Sequence, residues 1–136
     1  MVPRSKVDHL LSKEMEYERD FVKMGGILLA GSDPTGDGST LAGFGDQREV
    51  ELLVDAGFTP VEAIQIATKN GAEFLGIVDR VGTVNSGKQA DLIVVNGDPA
   101  RSISEIEKVE YVFRKGVGFD PAKLLEGIDG VVGLEN

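Results

Sequence analysis

The stretch ILLAGSD, at residues 27–33, constrains the fold more than any other part of the chain. Five apolar or small residues run without interruption into Ser32 and Asp33. A short run without polar alternation is typical of a strand that is buried on both faces, as in a parallel sheet. We therefore predict a buried strand that ends at Asp33. This carboxylate is either a plain turn residue or a group placed at the end of a strand to bind something.

Residues 7–24 predict a helix before this strand, which makes the pair an α/β unit. Gly25 and Gly26 follow the helix, where glycine commonly ends a helical segment. Charged residues fill the remainder of the helix surface. The apolar stripe of the helix consists of Leu11, Met15 and Val22, with Glu18 among them.

Two further helices are predicted after a loop rich in Gly, Ser and Thr at residues 34–45. In the first helix, Asp46 is the expected N-cap and Glu49 completes a capping box. Gly57 is the expected end of that helix. The second helix is expected to begin at Thr59, with Glu62 completing another capping box. The sequence leaves open whether this helix continues or breaks at Asn70-Gly71. The expected buried positions are Val50, Leu53, Val54, Ala63, Ile64 and Ala67.

The spacing of the apolar residues changes from a helical to an alternating pattern near residue 80. VGTV, at residues 81–84, and ADLIVVNGDP, at 90–99, are predicted to be a pair of strands joined by the turn NSGK. The stretch at 108–117 alternates and is predicted to be another strand, with Val109, Tyr111 and Phe113 on one side. A short helix is expected after Asp120-Pro121.

Charge and composition exclude several classes of function. The net charge of −9 argues against nucleic acid and against an anionic membrane surface. The 136 residues contain no cysteine, which excludes disulfides, thiolate metal sites and a cysteine nucleophile. The single histidine, His9, would have to serve any Ser-His-Asp triad. No apolar run approaches the roughly 20 residues of a membrane span, and the N-terminus lacks the apolar centre of a signal peptide. Because the absence of cysteine is compatible with the cytoplasm as well, we expect a cytoplasmic chain.

Three stretches together resemble the metal-dependent amidohydrolase superfamily, in its prolidase-like and imidazolonepropionase-like branch. They are LLAGSDP, GFGDQREVELLVDAGFTPVEAIQIATKNGAEFLGI and GTVNSGKQADLIVVNGDP, and the resemblance covers roughly residues 8–116. The resemblance implies the C-terminal part of a (β/α)8 TIM barrel with a small β-sandwich beside it. Residues 7–80 would be the last helix–strand–helix portion of the barrel, and residues 81–136 the C-terminal strands of the sandwich and a tail.

The resemblance also implies a hydrolase of C–N bonds acting on an amide, a cyclic amide or a dipeptide. Asp33 matches the aspartate that ends the last barrel strand of the family, where it binds a catalytic divalent metal, commonly zinc, and acts as general base. Arg48 lies in the segment after the active-site loop, and its planar fork suits a substrate carboxylate. The family's histidine pair, modified lysine and further histidines have no match here. We therefore expect a C-terminal fragment that is inactive alone.

Other interpretations of the same residues stay open at this stage. The start of a calcium loop is resembled by Asp33, Thr35, Asp37 and Gly38, but its twelfth position is Phe44 instead of glutamate. The same glycine-rich loop lacks the lysine of a phosphate-binding loop. Arg48 and its neighbours also suit a solvated helix surface. The alternative to an enzyme is a non-catalytic module that self-associates and binds a protein partner, and we expect a homo-oligomer in either case because an unpaired strand exposes an edge.

Overall fold

Helices precede the strands, and one further helix follows them, in the computed structural model, which describes residues 4–33 and 43–127. The predicted loop at 34–45 lies mostly outside these ranges. The helices are α1 (Arg4–Lys23), α2 (Phe44–Asp55), α3 (Pro60–Gln65), α4 (Gly71–Phe74) and α5 (Pro121–Glu126). The strands are β1 (Leu92–Val95), β2 (Val109–Arg114) and β3 (Val117–Phe119).

The predicted first helix is confirmed, and it ends where the glycines are. The N–H of Gly25 donates to the Val22 carbonyl and that of Gly26 to the Phe21 carbonyl, both at 2.9 Å. Gly25 has φ of 91°, a left-handed conformation that glycine adopts without strain. A Cβ on Gly26 would meet the ring of Phe21, so a larger residue there would require that exposed ring to move. The turn therefore directs the chain back along the helices.

The core lies between α2 and α3. Gly57, with φ of 102°, ends α2 as predicted and lets Phe58 turn back into the core. Met15 and Val22 of α1 pack against this cluster from outside, as their stripe predicts. The predicted burial of Val50, Leu53 and Ala63 is confirmed, whereas Val54, Ile64 and Ala67 are only partly buried. The core cluster consists of Val50, Leu53, Ala56, Phe58, Ala63 and Ile66.

The second capping box is present as predicted at the start of α3. The Thr59 hydroxyl accepts from the Glu62 N–H, and the Glu62 carboxylate accepts from the Thr59 N–H at 2.8 Å. The helix does not break at Asn70-Gly71. It continues through a π-helical turn (Ile66–Asn70) into α4. The Thr68 hydroxyl of this turn donates to the Ile64 carbonyl of α3 at 2.6 Å.

The prediction of a strand buried on both faces at residues 27–31 is wrong. The segment is extended, but within residues 4–33 and 43–127 no strand pairs with it. Leu28 and Ala30 face the core, while Ile27 is 59% exposed and Leu29 38% exposed. One side of the segment is covered by the helices and the other side is open, because no second layer covers it in the described ranges.

The predicted capping box at Asp46 is also wrong. Helix α2 begins earlier, at Phe44, with Gly43 at the N-cap and no side-chain cap hydrogen bond. Asp46 lies in the first turn, where its carboxylate accepts a hydrogen bond from the Ser32 hydroxyl. The Asp46 carboxylate therefore binds another segment of the chain instead of capping its own helix. It still lies near the positive end of the helix dipole, where a negative charge is stabilising.

The strands form an antiparallel sheet in the order β1-β2-β3. Leu92 pairs with Phe113 and Val94 with Tyr111, and the register shifts between Val94 and Val95. The rings of Tyr111 and Phe113 lie 6.5 Å apart, which confirms that they share a face. The sheet joins β1 to β2, so the predicted pairing of 81–84 with β1 is wrong.

Gly82 explains why residues 81–84 bend instead of forming a strand. It has φ of 88°, and a Cβ there would lie 2.5 Å from that of Ala72. Glycine within an expected strand commonly marks such a close approach. The turn predicted at 85–88 is present, with the Lys88 N–H donating to the Asn85 carbonyl at 3.2 Å. The final helix, α5, follows Asp120 as predicted, and Asp120 caps it by accepting from the Ala122 N–H.

None of the helices within residues 4–33 and 43–127 combines the length and the apolar content of a membrane-spanning segment.

Candidate functional site

Asp33 lies at the exposed end of the extended segment that follows α1. Side chains alternate along this segment: Leu28, Ala30 and Ser32 are half-buried, and Ile27, Leu29 and Asp33 are exposed. This alternation of an extended chain directs the Asp33 carboxylate away from the helical core.

Among the residues that the structure describes, two hydrogen bonds connect the segment to the helices. The side-chain amide of Asn70, at the end of the π-helical turn, donates to the Leu28 carbonyl at 2.9 Å in a partly buried position. The Ser32 hydroxyl donates to the Asp46 carboxylate in the first turn of α2. The residue before Asp33 is therefore fixed to α2, and the segment is held at both of its ends.

Arg48 interacts with its own helix. Its guanidinium donates to Glu51 at 2.8 Å and to Asp55 at 3.1 Å, and these hydrogen bonds, that to Glu51 first, raise the pKa of Arg48. The side chain is 55% exposed, so these pairs contribute little stability. In the described part of the chain, neither a hydrogen bond nor an ion pair joins Arg48 to Asp33. Its substrate-binding role stays a prediction.

A pair of carboxylates lies between α1 and α2. Partial burial raises the pKa of Glu18, and repulsion from Glu49 and then from Glu14 raises it further. A carboxyl group whose pKa is raised beside a second carboxylate is a feature of some acid–base sites, but it also occurs in structural contacts. No contact in the described residues joins this pair to Asp33, so it stays outside the candidate site.

The metal implied by the resemblance needs more ligands than this site offers. Zinc takes four ligands, three of them from the protein in catalytic sites. Across residues 4–33 and 43–127, no group of three or more His, Asp or Glu side chains lies together in a way that would hold a metal ion. The described residues therefore do not fit a complete metal site, and Asp33 offers one carboxylate only.

A cavity of about 550 Å³ lies elsewhere, between α3, the π-helical turn and the segment 82–93. Its walls include Ile64, Val84 and Ile93, and its polar groups include Thr68 and Lys88. Lys88 is already engaged, since its ammonium donates to the Val78 carbonyl and to the Thr83 hydroxyl. Neither Asp33 nor Arg48 lines this cavity, so it is separate from the candidate site.

Comparison with known proteins identifies the family. A sequence profile described as the amidohydrolase family matches residues 3–118. The chain belongs to the amidohydrolase family. Imidazolonepropionase of Flavobacterium johnsoniae is 32% identical over 105 residues, which are 77% of this chain and 24% of that enzyme. Adenine deaminase 4 of Rhizobium meliloti is 45% identical over 47 residues, which are 35% of this chain and 8% of that enzyme.

Structural similarity agrees with this family. A crystal structure of a Xaa-Pro dipeptidase with bound methionine in its active site has a TM-score of 0.55 and 36% identity. The match covers 62% of this chain and 21% of that one. The similarity of this chain lies with the prolidase-like and imidazolonepropionase-like branch of the family, as predicted. Its α/β region corresponds to part of a TIM-barrel protein. The chain spans about a quarter or less of the length of these relatives.

The sequence analysis missed two contacts of the site, that of Asn70 with Leu28 and that of Ser32 with Asp46. Asn70 follows the buried Ile66 by four residues, so it lies on the core-facing side of the helix. A polar residue in that phase needs a partner, which is the signal that could have indicated its role. No sequence pattern indicated that Ser32 and Asp46 meet, because they are 14 residues apart on different segments.

Proposed function

We propose that this chain is part of a metal-dependent hydrolase of C–N bonds that acts on a small amide, a cyclic amide or a dipeptide. Membership of the amidohydrolase family carries the proposal. The named relatives include an imidazolonepropionase, an adenine deaminase and a Xaa-Pro dipeptidase, which extends the candidate substrates to an exocyclic amine on a purine. Residues 7–80 would be the last part of the barrel and residues 81–136 the strands of a β-sandwich.

Asp33 would supply one carboxylate ligand to a divalent metal, zinc in the first instance. Two features support this role. The carboxylate is exposed at the end of an extended segment. The segment is also hydrogen-bonded to the helices at Leu28 and at Ser32, on either side of Ala30, which packs against the core. The remaining ligands would come from outside the described residues. Hydrolysis is therefore a property of the complete enzyme, and we expect the separate chain to be inactive.

A grafted enzyme tests this function. We define it as the Flavobacterium johnsoniae imidazolonepropionase in which residues 8–116 of this chain replace the matching segment. The grafted enzyme should be assayed with the imidazolone substrate of the host, with Xaa-Pro dipeptides and with adenine. We expect hydrolysis in one of these classes, and its loss in Asp33→Asn with the fold retained. Asp79→Asn, which changes another exposed aspartate, should keep the activity. Full activity of a folded Asp33→Asn enzyme would refute the role of Asp33.

A second candidate function is supported by the exposed apolar side chains of α1 and of the segment after it. Tyr17 is 69% exposed, Met24 81% and Ile27 59%. Apolar residues grouped in this way are typical of contact surfaces. We propose that a second copy of the chain covers them, so that the separate chain is a self-associating module. A monomeric mass in light scattering at micromolar concentration would exclude this function. It would also contradict the homo-oligomer expected in either case, but not the hydrolysis proposed for the complete enzyme.

A further inference from the structure

We propose that Asn96 is a site of deamidation, and that the fold protects the other Asn-Gly pair of the chain, Asn70-Gly71. The sequence contains this dipeptide twice, at residues 70–71 and 96–97. The reaction involves neither Asp33 nor a metal, and its only reactant besides the chain is water. It converts a neutral amide into a carboxylate and therefore adds a negative charge to the chain.

Deamidation begins at the backbone of the residue that follows the asparagine. The nitrogen of that residue attacks the side-chain Cγ and forms an N–Cγ bond, while the bond from Cγ to Nδ2 breaks and ammonia leaves with the proton of the attacking nitrogen. Water then adds to either carbonyl of the resulting succinimide ring and opens it to an aspartyl or an isoaspartyl residue. Glycine favours ring formation, because it has no Cβ beside the attacking nitrogen and permits wide rotation of the backbone.

The backbone of Asn70 is fixed in a helix. Its φ and ψ are −62° and −40°, and those of Gly71 are −60° and −42°. The Gly71 N–H donates to the Thr68 carbonyl, and the Asn70 side-chain amide donates to the Leu28 carbonyl at 2.9 Å. Attack on the Asn70 side chain requires rotation of both its backbone and its side chain. This rotation breaks both hydrogen bonds and interrupts the helix.

Asn96 and Gly97 lie instead in an exposed turn after β1. The Gly97 N–H donates to the Val95 carbonyl at 3.1 Å, which closes a turn of only three residues. The Asn96 N–H donates to the Lys108 carbonyl at 2.8 Å. Hydrogen bonds of an exposed turn open at a low free energy, whereas those of a helix that packs on the core open only as part of a larger unit. The side chain of Asn96 therefore reaches the geometry of attack more often than that of Asn70.

Glu105 restrains this turn. Its carboxylate accepts a hydrogen bond from the Asp98 N–H and lies where a Cβ on Gly97 would be. The Asp98 N–H, and then the Lys108 ammonium, lower the pKa of Glu105, so its carboxylate is charged at neutral pH. A negative charge close to Gly97 opposes the loss of the N–H proton that the attack requires. Removal of the Glu105 side chain should therefore speed the reaction, both by freeing the turn and by removing this charge.

The product changes the connection after β1. In an isoaspartyl residue the main chain runs through the former side chain, which adds one carbon to the backbone. Either product also places a new carboxylate near Asp98 and Glu105, and like charges repel each other. We expect the hydrogen bond from the Asn96 N–H to the Lys108 carbonyl to weaken, so that the modification loosens the end of β1.

The test compares the two Asn-Gly pairs in the whole chain. Folded protein, and protein unfolded in guanidinium chloride, would be incubated in a mildly alkaline buffer and followed by peptide mapping with mass spectrometry. In the folded chain we expect reaction at Asn96 to be at least about 10-fold faster than at Asn70, because the helix must open locally before Asn70 reacts. In the unfolded chain we expect the two rates to become similar, because neither pair is then held by the fold.

Several outcomes would overturn the proposal. Similar rates at the two pairs in the folded protein, faster reaction at Asn70, or no reaction at either pair would contradict the assignment of Asn96. A preference for Asn96 that is equally large in the unfolded chain would also overturn it, since the neighbours in sequence and not the fold would then be the cause.

Three variants identify the groups involved. Asn96→Gln should remove most of the acidic product of the folded chain, because glutamine would have to form a larger ring. Gly71→Ala is the control, since a Cβ there meets no atom within 4 Å, and it should keep the wild-type rate at Asn96. Glu105→Ala should raise the rate at Asn96 at least about 3-fold, with the rate at Asn70 unchanged, because a hydrogen bond to a charged group is lost from the turn. An unchanged or lower rate in Glu105→Ala would refute the restraining role of Glu105.

Discussion

The capping box at the start of α3 gives a quantitative prediction, since both of its halves are defined by the structure. The Glu62 N–H donates to the Thr59 hydroxyl at 3.3 Å, which is longer than a typical hydrogen bond. The Glu62 carboxylate accepts from the Thr59 N–H at 2.8 Å and from its hydroxyl at 2.7 Å. Loss of a cap side chain commonly costs about 1 kcal/mol of stability. Because the hydroxyl accepts only the long bond, we expect Thr59→Ala to cost about 0.5–1 kcal/mol.

The carboxylate half adds a pH dependence. The N–H of Thr59, and then its hydroxyl, lower the pKa of Glu62 below its ordinary 4.5 in the folded chain. A carboxyl group with a lowered pKa stabilises the folded state at pH values above its unfolded pKa. This stabilisation is lost as the pH falls through the lower, folded pKa. We expect Glu62→Gln to cost about 0.3–1 kcal/mol at pH 7, the range for a charge in the first turn of a helix. The difference from the wild type should shrink as the pH falls through the lowered, folded pKa of Glu62.

The assay is urea unfolding followed by circular dichroism at 222 nm, at one protein concentration throughout and at several pH values. Glu107→Gln is the control, since Glu107 is exposed and forms no cap. The double variant Thr59→Ala with Glu62→Gln should cost less than the sum of the single variants, because the two side chains bond to each other. An effect of Glu62→Gln that is the same at pH 3 and pH 7, or strictly additive single variants, would refute this reasoning.

The other predictions concern the core, the interface of α1 with α2, and the β2–β3 turn. Leu53 is only 5% exposed, so Leu53→Ala should cost about 2–5 kcal/mol in the same urea assay, and a cost below about 1 kcal/mol would contradict the described core. Burial, and then repulsion from Glu49, raise the pKa of Glu18 in the folded chain. The protonated Glu18 therefore contributes its full stabilisation at pH values below the ordinary pKa of 4.5, and this stabilisation is lost as the pH rises through the folded pKa. Glu18→Gln should therefore raise the urea midpoint at pH 7 but not at pH 3. The Lys115 N–H donates to the Asp91 carboxylate and lowers its pKa below 3.8, so the chemical shift of that amide should titrate with a midpoint below 3.8 and not titrate in Asp91→Asn.

Features that depend on neighbours in sequence were predictable. The box at Thr59 and Glu62 and the glycine stop at Gly25 are local, because each involves residues within one helical turn. Asp46 looked like an equally good cap, but a distant hydroxyl from Ser32 binds its carboxylate. Local patterns cannot show that a longer-range partner competes for the same side chain.

The error at residues 27–31 has a different cause. The run ILLAG is apolar on both sides, which predicts that both sides are covered, yet only Leu28 and Ala30 are covered by the described residues. A sequence pattern indicates the surroundings that suit the side chains, whereas the structure shows only the contacts that the described residues make. Asp33 was found through the family motif and Asn70 only through the structure, since its partner is 42 residues away.

The most direct test of the account is the amount of divalent metal bound by the grafted enzyme with and without the Asp33 carboxylate. Purified grafted enzyme and its Asp33→Asn and Asp79→Asn variants would be analysed by inductively coupled plasma mass spectrometry and by competition with a chelator. We predict stoichiometric metal in the grafted enzyme and in Asp79→Asn, and an affinity that is at least about 100-fold lower in Asp33→Asn, since a direct ligand matters more than the groups that orient it. Equal metal affinity in all three proteins would contradict the claim that Asp33 is a metal ligand.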